Sequence, residues 1–332
     1  MESEGFRSQG LTDPMSAAIP QPDSARQLRV AVTGATGLVG SALVPALLAA
    51  GHRVDRVSRR RPAAGTTDIQ WDPARGQLDP RALEGVDAVV HLAGETIAAL
   101  RWTPAVKERI RRSRVDGTRL LAETLGRLTR RPRVLVAVSG VGYYGSRGDT
   151  PLTEESPPGS GFLAEVCREW EAAADPARAA GIRVVHPRLG VVLAGQGGAL
   201  PRMALPFRLG AGGVIGDGRQ YCSWIELNDL VRVIELCLAL ETLAGPVNAV
   251  APTPVTNREF TRVLGRALGR PTLVPLPALA ARLLLGEMGQ ALLLDSARAL
   301  PRRLERAGFR FRHPDLEDAL RVALASQRAR SG

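Results

Sequence analysis

The most constraining feature of this sequence is a glycine-rich turn between a short apolar strand and an apolar helix. The strand is predicted over Leu28 to Val32 and the helix from about Leu38 to Ala50. Gly34 permits the tight turn, Gly37 lets the backbone approach phosphates, and Gly40 lets the helix pack closely on the strand. The start of the helix presents unpaired N–H groups to an anion. The pattern therefore predicts a site for a dinucleotide pyrophosphate, formed by Gly34, Thr36, Gly37, Leu38, Val39 and Gly40.

The next predicted strand, His52 to Ser58, ends in three consecutive arginines. A site that selects NAD has a carboxylate at this strand end for the ribose 2′-hydroxyl, whereas a site for NADP has a cation for the 2′-phosphate. Asp55 is the only acid nearby, and its position inside the strand directs it away from the ribose. We therefore expect NADP(H) to be favoured over NAD(H), with Arg59 the main contact and Ser58 and Arg60 close by. The alternative is that the arginines form a solvated basic turn.

Strand-like and helix-like segments alternate from residue 28 to about residue 186. Further strands are predicted at 69–71, 88–92 and 134–138, a sixth strand is predicted to begin over 183–186, and long helices are predicted at 104–127 and 162–180. The alternation predicts an α/β fold with a Rossmann-type, doubly wound parallel sheet and a smaller, mostly helical C-terminal lobe. The expected organisation is a disordered extension (1–27), an NADP-binding Rossmann domain (28–192), substrate-side segments contributing to the sheet and the second lobe (193–270) and a helical C-terminal domain (271–328).

The residues that follow the central strands are the candidates for ligand contact, because ligands of open α/β sheets bind beyond the carboxyl ends of the strands. We expect one ligand-binding crevice at these strand ends. The segment Ser139 to Gly145 and the region of Arg188 are predicted to lie around it. His91 is expected to pack or hydrogen-bond beneath the cofactor and is not proposed as a base. The cofactor site is predicted to include Leu92, Ala93, Gly94 and Glu95.

The composition excludes several classes of protein. With 332 residues and 45% hydrophobic content, the chain can bury a large core in one α/β domain with an appended lobe. No apolar run reaches the roughly 18 residues of a membrane span, so we expect no membrane partner. The N-terminal extension lacks an apolar signal-peptide core, and Met15 is an alternative start. The 3 cysteines have no metal-ligand spacing, which predicts no metal site and a reducing, cytoplasmic location.

The net charge of +11 raises the question of nucleic-acid binding. Of the 44 basic residues only Lys107 is a lysine, and the arginines are spread along the whole chain without interleaved aromatic residues. We therefore expect no specific nucleic-acid partner, only a weak and salt-sensitive association with polyanions.

Several motifs carry a family resemblance. The glycine turn, His91-Leu92-Ala93-Gly94, Val115-Asp116-Gly117-Thr118 and Tyr143-Tyr144-Gly145 resemble the extended short-chain dehydrogenase/reductases. The resemblance implies nicotinamide dinucleotide binding on a Rossmann-type fold. Over about residues 29–324 the chain looks like the atypical subgroup labelled "epimerase family protein", which has its own helical C-terminal domain. The motifs that carry this second resemblance are Trp71-Asp72-Pro73, Arg101-Trp102-Thr103, Ser113-Arg114-Val115, Ser223-Trp224-Ile225 and Gly286-Glu287-Met288.

The catalytic residues are where the sequence departs from the larger family. In typical members a tyrosine, its pKa lowered by a lysine four residues later, moves a proton while hydride passes to or from the nicotinamide. The resemblance places Leu163 at the tyrosine, Cys167 at the lysine and Gly140 at the carbonyl-polarising serine, so the usual triad is absent. We take Tyr143 and Ser139 as the candidate catalytic residues. Other substitutes in the crevice are Glu95, Glu165 and Lys107.

Arg188 is the candidate substrate ligand. It follows Pro187 at the end of the sixth predicted strand, where extended relatives form the substrate pocket. A guanidinium there could bind a phosphate or carboxylate bidentately. The alternative is a structural arginine paired with a loop carbonyl.

Two functions remain open from the sequence. One is an NADP(H)-dependent oxidoreductase or nucleotide-sugar-epimerase-like enzyme whose acid has been relocated, acting on a modest polar substrate. The other is a catalytically silent NADP(H)-binding sensor that reports the state of the nucleotide to a partner through the second lobe. RNA binding ranks below both, and the sequence leaves the substrate and the oligomeric state open.

Overall fold

The predicted glycine turn follows the first strand of a central sheet, which has neighbouring strands on both sides. The computed structural model describes residues 27–63, 65–98 and 101–328. Its strands are β1 (Arg29–Thr33), β2 (Arg53–Ser58), β3 (Ile69–Asp72), β4 (Gln77–Leu78), β5 (Ala88–His91), β6 (Val134–Ala137), β7 (Ser139–Gly140), β8 (Pro151–Leu152), β9 (Arg183–Leu189), β10 (Val191–Leu193), β11 (Tyr221–Cys222), β12 (Trp224–Glu226), β13 (Gly245–Ala249), β14 (Val255–Thr256) and β15 (Arg298–Ala299). The sheet order is β13-β9-β6-β5-β1-β2-β3-β4, with β7 also paired to β9. All these pairs are parallel except β3 with β4.

The helices of the described chain either cover the two faces of this sheet or belong to the C-terminal lobe. They are α1 (Leu38–Ala49), α2 (Pro80–Leu83), α3 (Pro104–Gly126), α4 (Phe162–Ala172), α5 (Asp175–Ala179), α6 (Leu200–Arg208), α7 (Leu227–Ala239), α8 (Asn257–Leu268), α9 (Ala278–Leu285), α10 (Glu287–Gly289), α11 (Arg302–Arg306) and α12 (Leu316–Arg328). One hydrophobic core joins the sheet to α1 and α7, and a second joins its other face to α3 and α5. The chain thus has the predicted Rossmann-type, doubly wound fold.

The first strand explains why the glycine turn is held firmly. Side chains alternate along a strand, so Val30 and Val32 enter one core while Ala31 enters the other, and all three are fully buried. Leu43 and Leu47, four residues apart on α1, are also fully buried against the same sheet face. Burying each such leucine contributes about 1.5–3 kcal/mol. The turn between β1 and α1 therefore joins two elements anchored in one core.

One predicted element differs from the structure. The helix expected over 162–180 is two helices, because Pro176 has no N–H to donate and its ring clashes with the carbonyl of the preceding turn. The sixth strand, predicted to begin at Arg183 and to end near Arg188, is β9, and β13 and β7 pair with its second half. The predicted N-terminal extension and Met15 lie outside the described residues, apart from Gln27, whose amide donates to Gly51 O.

The C-terminal lobe packs around a core of its own. Buried residues of β10, β12, α6, α8 and α12 form it, with Trp224 fully enclosed. Residues 271–328 are mostly helical, as predicted, while the segment before them returns β13 to the edge of the sheet. The domain boundaries stay predictions. Among the described helices, none is both long enough and apolar enough to cross a bilayer.

Candidate functional site

The glycine turn forms a backbone cradle at the start of α1. Gly34 has a φ of +66°, a conformation that favours glycine, and Gly37 N donates to Gly34 O at 2.9 Å. The helical hydrogen bonds begin with Ser41 N to Gly37 O, so the amides of Leu38, Val39 and Gly40 are helix-terminal groups with no intrahelical acceptor. No side chain caps this end. The amides of these three residues are therefore available to an anion, while the cofactor contacts expected along the segment from Gly34 to Gly40, with Thr36, stay a prediction.

Two glycines of the turn leave no room for a side chain. A Cβ on Gly34 would lie 2.9 Å from Ala93 N and from the carbonyl carbon of Leu92. A Cβ on Gly40 would lie 2.3 Å from Gly34 O. The turn is thus packed against the end of β5, which brings Leu92 and Ala93 to the cradle as the sequence predicted.

Thr33 and His91 lock these two strand ends together. The Thr33 hydroxyl accepts hydrogen bonds from Leu92 N at 3.1 Å and Ala93 N at 3.2 Å, and lies 2.7 Å from His91 Nδ1. With both amides donating to it, the hydroxyl donates its own proton to Nδ1, so His91 carries its proton on Nε2. Burial lowers the pKa of His91 to about 4, which keeps the ring neutral at physiological pH. His91 is a structural residue beneath the cradle and not a base.

The end of β2 presents cations and no carboxylate. Asp55 is 2% exposed and accepts a 2.6 Å hydrogen bond from Arg29 Nε, so its charge is engaged inside the fold. Arg59 and Arg60 are exposed just beyond the strand, and Ser58 Oγ donates to Arg60 O at 3.3 Å. Within the described chain, neither of these arginine side chains has an ion-pair partner. The strand end therefore suits an anionic group better than a neutral hydroxyl.

On the other side of β1, the position of the family tyrosine and lysine is apolar. A Cβ on Gly142 would lie 3.2 Å from Leu163 Cβ, and one on Gly140 would lie 3.9 Å from Cys167 Sγ. Burial raises the pKa of the Cys167 thiol to about 11. Ser139 Oγ is buried beside this thiol, and within the described residues it has no hydrogen-bond partner of ordinary geometry. Ser139, the first residue of β7, thus lies beside the Cys167 thiol, next to the predicted crevice.

Arg188 belongs to a buried network, which corrects its predicted role. It is 2% exposed, and its Nε and Nη2 donate to the Glu171 carboxylate at 2.8 Å each. Its Nη1 donates to Tyr144 Oη at 2.9 Å, and Tyr144 Oη donates to Asn248 Oδ1 at 2.7 Å. All three guanidinium nitrogens are engaged, so the geometry does not support a substrate ligand. The structural alternative is the one observed, although the partner is a helix carboxylate and not a loop carbonyl.

Tyr143 lies over this network. Its ring centroid is 3.5 Å from Arg188 Cζ, and the ring stands edge-on to Tyr144 at 5.4 Å. Tyr143 is half-buried, whereas Tyr144 is fully buried and its burial raises its pKa to about 12. Of the two tyrosines, only Tyr143 reaches solvent, so it is the one that a substrate could meet.

The remaining acid candidates are held in surface ion pairs. Glu95 pairs with Arg109 at 3.2 Å, Lys107 with Glu287 at 2.8 Å, and Glu165 with Arg111 at 3.6 Å. Each of these pairs is partly exposed and contributes about 0–1 kcal/mol to stability, so the pairing by itself does not prevent these side chains from moving. Because each of the three is paired on the surface, Tyr143 and Ser139 remain the candidates for contact with a substrate proton and carbonyl.

Sequence reasoning did not place Arg114 beside the predicted cofactor residues. Its guanidinium carbon lies 3.5 Å from the point that a Cβ on Gly94 would occupy, and 5.1 Å from the Trp170 ring centroid. Arg114 appeared in the sequence only as part of a family motif. Its placement beside the predicted cofactor residue Gly94 depends on how α3 packs on the sheet.

The fold and this cradle define a dinucleotide-binding protein of the Rossmann type. The family model for the NAD dependent epimerase/dehydratase family matches residues 30–248, and a domain of unknown function, DUF1731, matches residues 276–323. The chain therefore belongs to the NAD dependent epimerase/dehydratase family, as the motifs predicted.

Individual relatives share nearly the whole chain. Epimerase family protein Mb2239 of Mycobacterium bovis is 46% identical over 294 residues, covering 89% of this chain and 97% of the relative. Human epimerase family protein SDR39U1 is 38% identical over 303 residues, covering 90% and 100%. These names confirm the predicted "epimerase family protein" subgroup.

Solved structures agree with the fold. The crystal structure of human SDR39U1 with NADPH has a TM-score of 0.80 and 36% identity, covering 90% of this chain and 99% of that one. MoeE5 in complex with UDP-glucose and NAD has a TM-score of 0.74 at 21% identity, covering 92% and 100%, which supports the fold alone.

Proposed function

We propose that this protein binds NADP(H) in the cytoplasm and works as an NADP(H)-dependent oxidoreductase or epimerase-like enzyme without the usual tyrosine and lysine. The observation that carries the proposal is the withdrawal of Asp55 into a buried pair with Arg29, beside exposed Arg59 and Arg60. A carboxylate free at this strand end would repel a 2′-phosphate, and the strand end offers guanidinium groups instead.

The cradle residues supply the rest of the cofactor site. The amides of Leu38 to Gly40 meet the pyrophosphate, and the backbone of Leu92 and Ala93 lines the other wall. The related human protein has a structure with NADPH, whereas more distant neighbours have structures with NAD, so the basic strand end is the specific support for NADP(H).

The chemistry assigned to this chain is proton handling beside the nicotinamide. When bound, the cofactor supplies or accepts a hydride. In this proposal Tyr143 gives or takes the proton of a substrate hydroxyl, and Ser139 Oγ donates a hydrogen bond to a carbonyl oxygen. Leu163 and Cys167 keep water away from this side of the crevice because both present apolar surface.

The cofactor preference is tested by fluorescence titration with NADPH and NADH. An arginine that donates charge-assisted hydrogen bonds to a phosphate contributes about 1.5–3 kcal/mol. We therefore expect Arg59→Ala to raise the Kd for NADPH at least about tenfold and to change the Kd for NADH less than about twofold. Arg75→Ala is the matched control, because Arg75 is an exposed arginine outside the site. Equal affinity of the wild type for both nucleotides would refute the preference.

Turnover is tested by stopped-flow oxidation of bound NADPH against a panel of carbonyl compounds. Removing a general acid typically costs about 10²–10⁴ in rate, so Tyr143→Phe should lower the rate by that factor while NADPH still binds. A Tyr143→Phe variant with the wild-type rate would exclude Tyr143 as the acid.

The second candidate function is a silent NADP(H)-binding sensor. Leu163, at the place of the family acid, packs in an apolar cluster with Met288 and Leu285 of the C-terminal lobe. This contact links the nicotinamide side of the crevice to the second lobe, as a reporter of cofactor state would require. Tight NADPH binding without oxidation by any member of the carbonyl panel would favour the sensor over the enzyme.

A further inference from the structure

An apolar surface of the C-terminal lobe is open to solvent in the described chain. Leu279 and Leu283, four residues apart on one side of α9, are each 66% exposed, whereas Ala281 on the opposite side is fully buried. A contiguous apolar patch of this kind marks a binding surface, because keeping it in water costs free energy. The exposed apolar residues of the segments 205–209 and 273–284 are together called the leucine face: Leu205, Leu209, Leu273, Val274, Leu279, Leu283 and Leu284.

Backbone contacts join the two segments of the leucine face. Val274 N donates to Gly212 O at 3.2 Å, and Leu276 N donates to Val214 O at 2.9 Å. A Cβ on Gly213 would lie 2.0 Å from Val274 O, so the two chains are in close contact. The segment after α6 and the segment before α9 therefore form one structural unit.

Both helices of this unit reach the loop between β5 and α3. Arg202, one turn before the leucines of α6 and on their side of the helix, donates to Ala98 O at 2.7 Å. At the end of α9, the Arg101 guanidinium donates to Leu284 O at 3.1 Å and also to Leu283 O. The leucine face thus adjoins the loop that leaves the cofactor strand β5.

The same unit borders the crevice at two points. A Cβ on Gly198, just before α6, would lie 2.6 Å from Leu38 Cδ2, at the predicted pyrophosphate cradle. Leu285, the last residue of α9, packs in one apolar cluster with Leu163, which stands at the position of the family tyrosine. The apolar wall of the crevice therefore continues from Leu163 through Leu285 to the leucine face.

The composition of this unit does not suit a sugar. The segments 199–216 and 270–286 contain no Asp, Glu, Asn, Gln, His or Ser, and their polar side chains are those of four arginines and Thr272. Sugar hydroxyls held against such a surface would lose hydrogen bonds to water without replacing them, which costs free energy. Arg188, the cation predicted to bind a substrate anion, is buried in its pair with Glu171. An uncharged apolar group suits this side of the crevice better than a nucleotide sugar.

We propose that the leucine face binds the apolar chain of the substrate, and that the substrate is an uncharged carbonyl compound carrying such a chain. This inference rests on the proposed function and names its substrate class. The carbonyl lies at the crevice near Tyr143, and the chain extends past Leu285 along α9. The substrate suggested by the sequence was a modest polar one, whereas the leucine face favours an apolar one.

The test measures binding of a homologous series, so its result does not depend on turnover. 2-Butanone, 2-hexanone and 2-octanone are titrated calorimetrically into the protein loaded with NADP⁺. We expect the Kd to fall about fourfold for each methylene added. The double variant Leu279→Ser/Leu283→Ser should raise the Kd for 2-octanone about tenfold and leave that for 2-butanone within about twofold. Leu48→Ser is the matched control, because Leu48 is an exposed leucine of α1 outside the leucine face.

The outcomes separate this inference from the proposed function. A Kd that does not change with chain length, or a double variant that binds 2-octanone as Leu48→Ser does, would overturn the inference while NADPH binding stands. A dimer in light scattering that the double variant converts to a monomer would show that a second copy covers the leucine face, which also overturns it. A wild type that binds no NADPH in the fluorescence titration would instead overturn the proposed function, and this inference with it.

Discussion

The buried pair of Arg188 and Glu171 allows a prediction of stability that can be worked out from the structure. The Arg188 side chain is 3% exposed and that of Glu171 is 14% exposed, and two hydrogen bonds of 2.8 Å join them. Glu171→Gln removes the negative charge but keeps one oxygen that can accept from the guanidinium. The variant therefore leaves a buried cation whose charge is no longer compensated.

Breaking a buried ion pair by removing one partner costs about 3–5 kcal/mol, and the retained acceptor lowers this to about 2–4 kcal/mol for Glu171→Gln. The matched control is Glu169→Gln, which makes the same change two positions earlier on α4. Glu169 pairs with Arg111 at 3.3 Å, and both side chains are more than a third exposed. An exposed pair of this kind contributes about 0–1 kcal/mol.

Urea unfolding measures the free energy of unfolding of both variants. The chain has 4 tryptophans, and Trp170 lies on α4 itself, so intrinsic fluorescence follows the transition. A Glu171→Gln loss no larger than that of Glu169→Gln would refute the assignment of Arg188 to a buried structural network. It would also reopen the sequence-based prediction that Arg188 is free to bind a substrate anion.

Three further predictions concern the cradle, its support and the thiols. A Cβ on Gly40 would lie 2.3 Å from Gly34 O, so Gly40→Ala should raise the Kd for NADPH about ten- to hundredfold in a fluorescence titration; an unchanged Kd would contradict the cradle. The pKa of His91 is lowered from 6.5 to about 4, so the unfolded chain binds a proton that the folded protein does not as the pH falls through this window. Relative to His91→Gln, the wild type should lose about 3 kcal/mol of unfolding free energy between pH 7 and pH 4, as measured by urea unfolding at each pH. The same pH dependence of the unfolding free energy in both proteins would disprove this. Burial raises the pKa values of the thiols of Cys167 and Cys237 to about 11 and about 12, so neither should react with Ellman's reagent at pH 8 before unfolding. Cys222 is only partly buried, so rapid labelling of more than one thiol in the native protein would show the burial of the other two to be wrong.

The cofactor cradle could be predicted because its determinants are neighbours in the chain. The conformation of Gly34, the apolar strand before it and the helix after it are all encoded within one stretch of sequence. The alternation of strands and helices likewise predicted the doubly wound sheet, because a segment's periodicity reflects which of its faces are buried. The family motifs then identified the subgroup.

The break at Pro176 was available to local reasoning, since proline interrupts helical hydrogen bonding wherever it stands inside a helix. The apolar periodicity that continues through both helices concealed it. The place of β13 at the edge of the sheet has a different origin. It pairs with β9, about sixty residues earlier in the chain, and no local signal reports that pairing.

The sequence by itself determined where this protein can hold a pyrophosphate, because backbone conformation and hydrophobic periodicity depend on adjacent residues. Only the tertiary structure decided which charges are free: it paired Asp55 with Arg29 and Arg188 with Glu171, and it left Arg114 beside Gly94 without a carboxylate. The physical reason is that the fate of an ionisable side chain depends on the partners that packing brings within a few ångströms, and in this chain those partners come from other strands and helices.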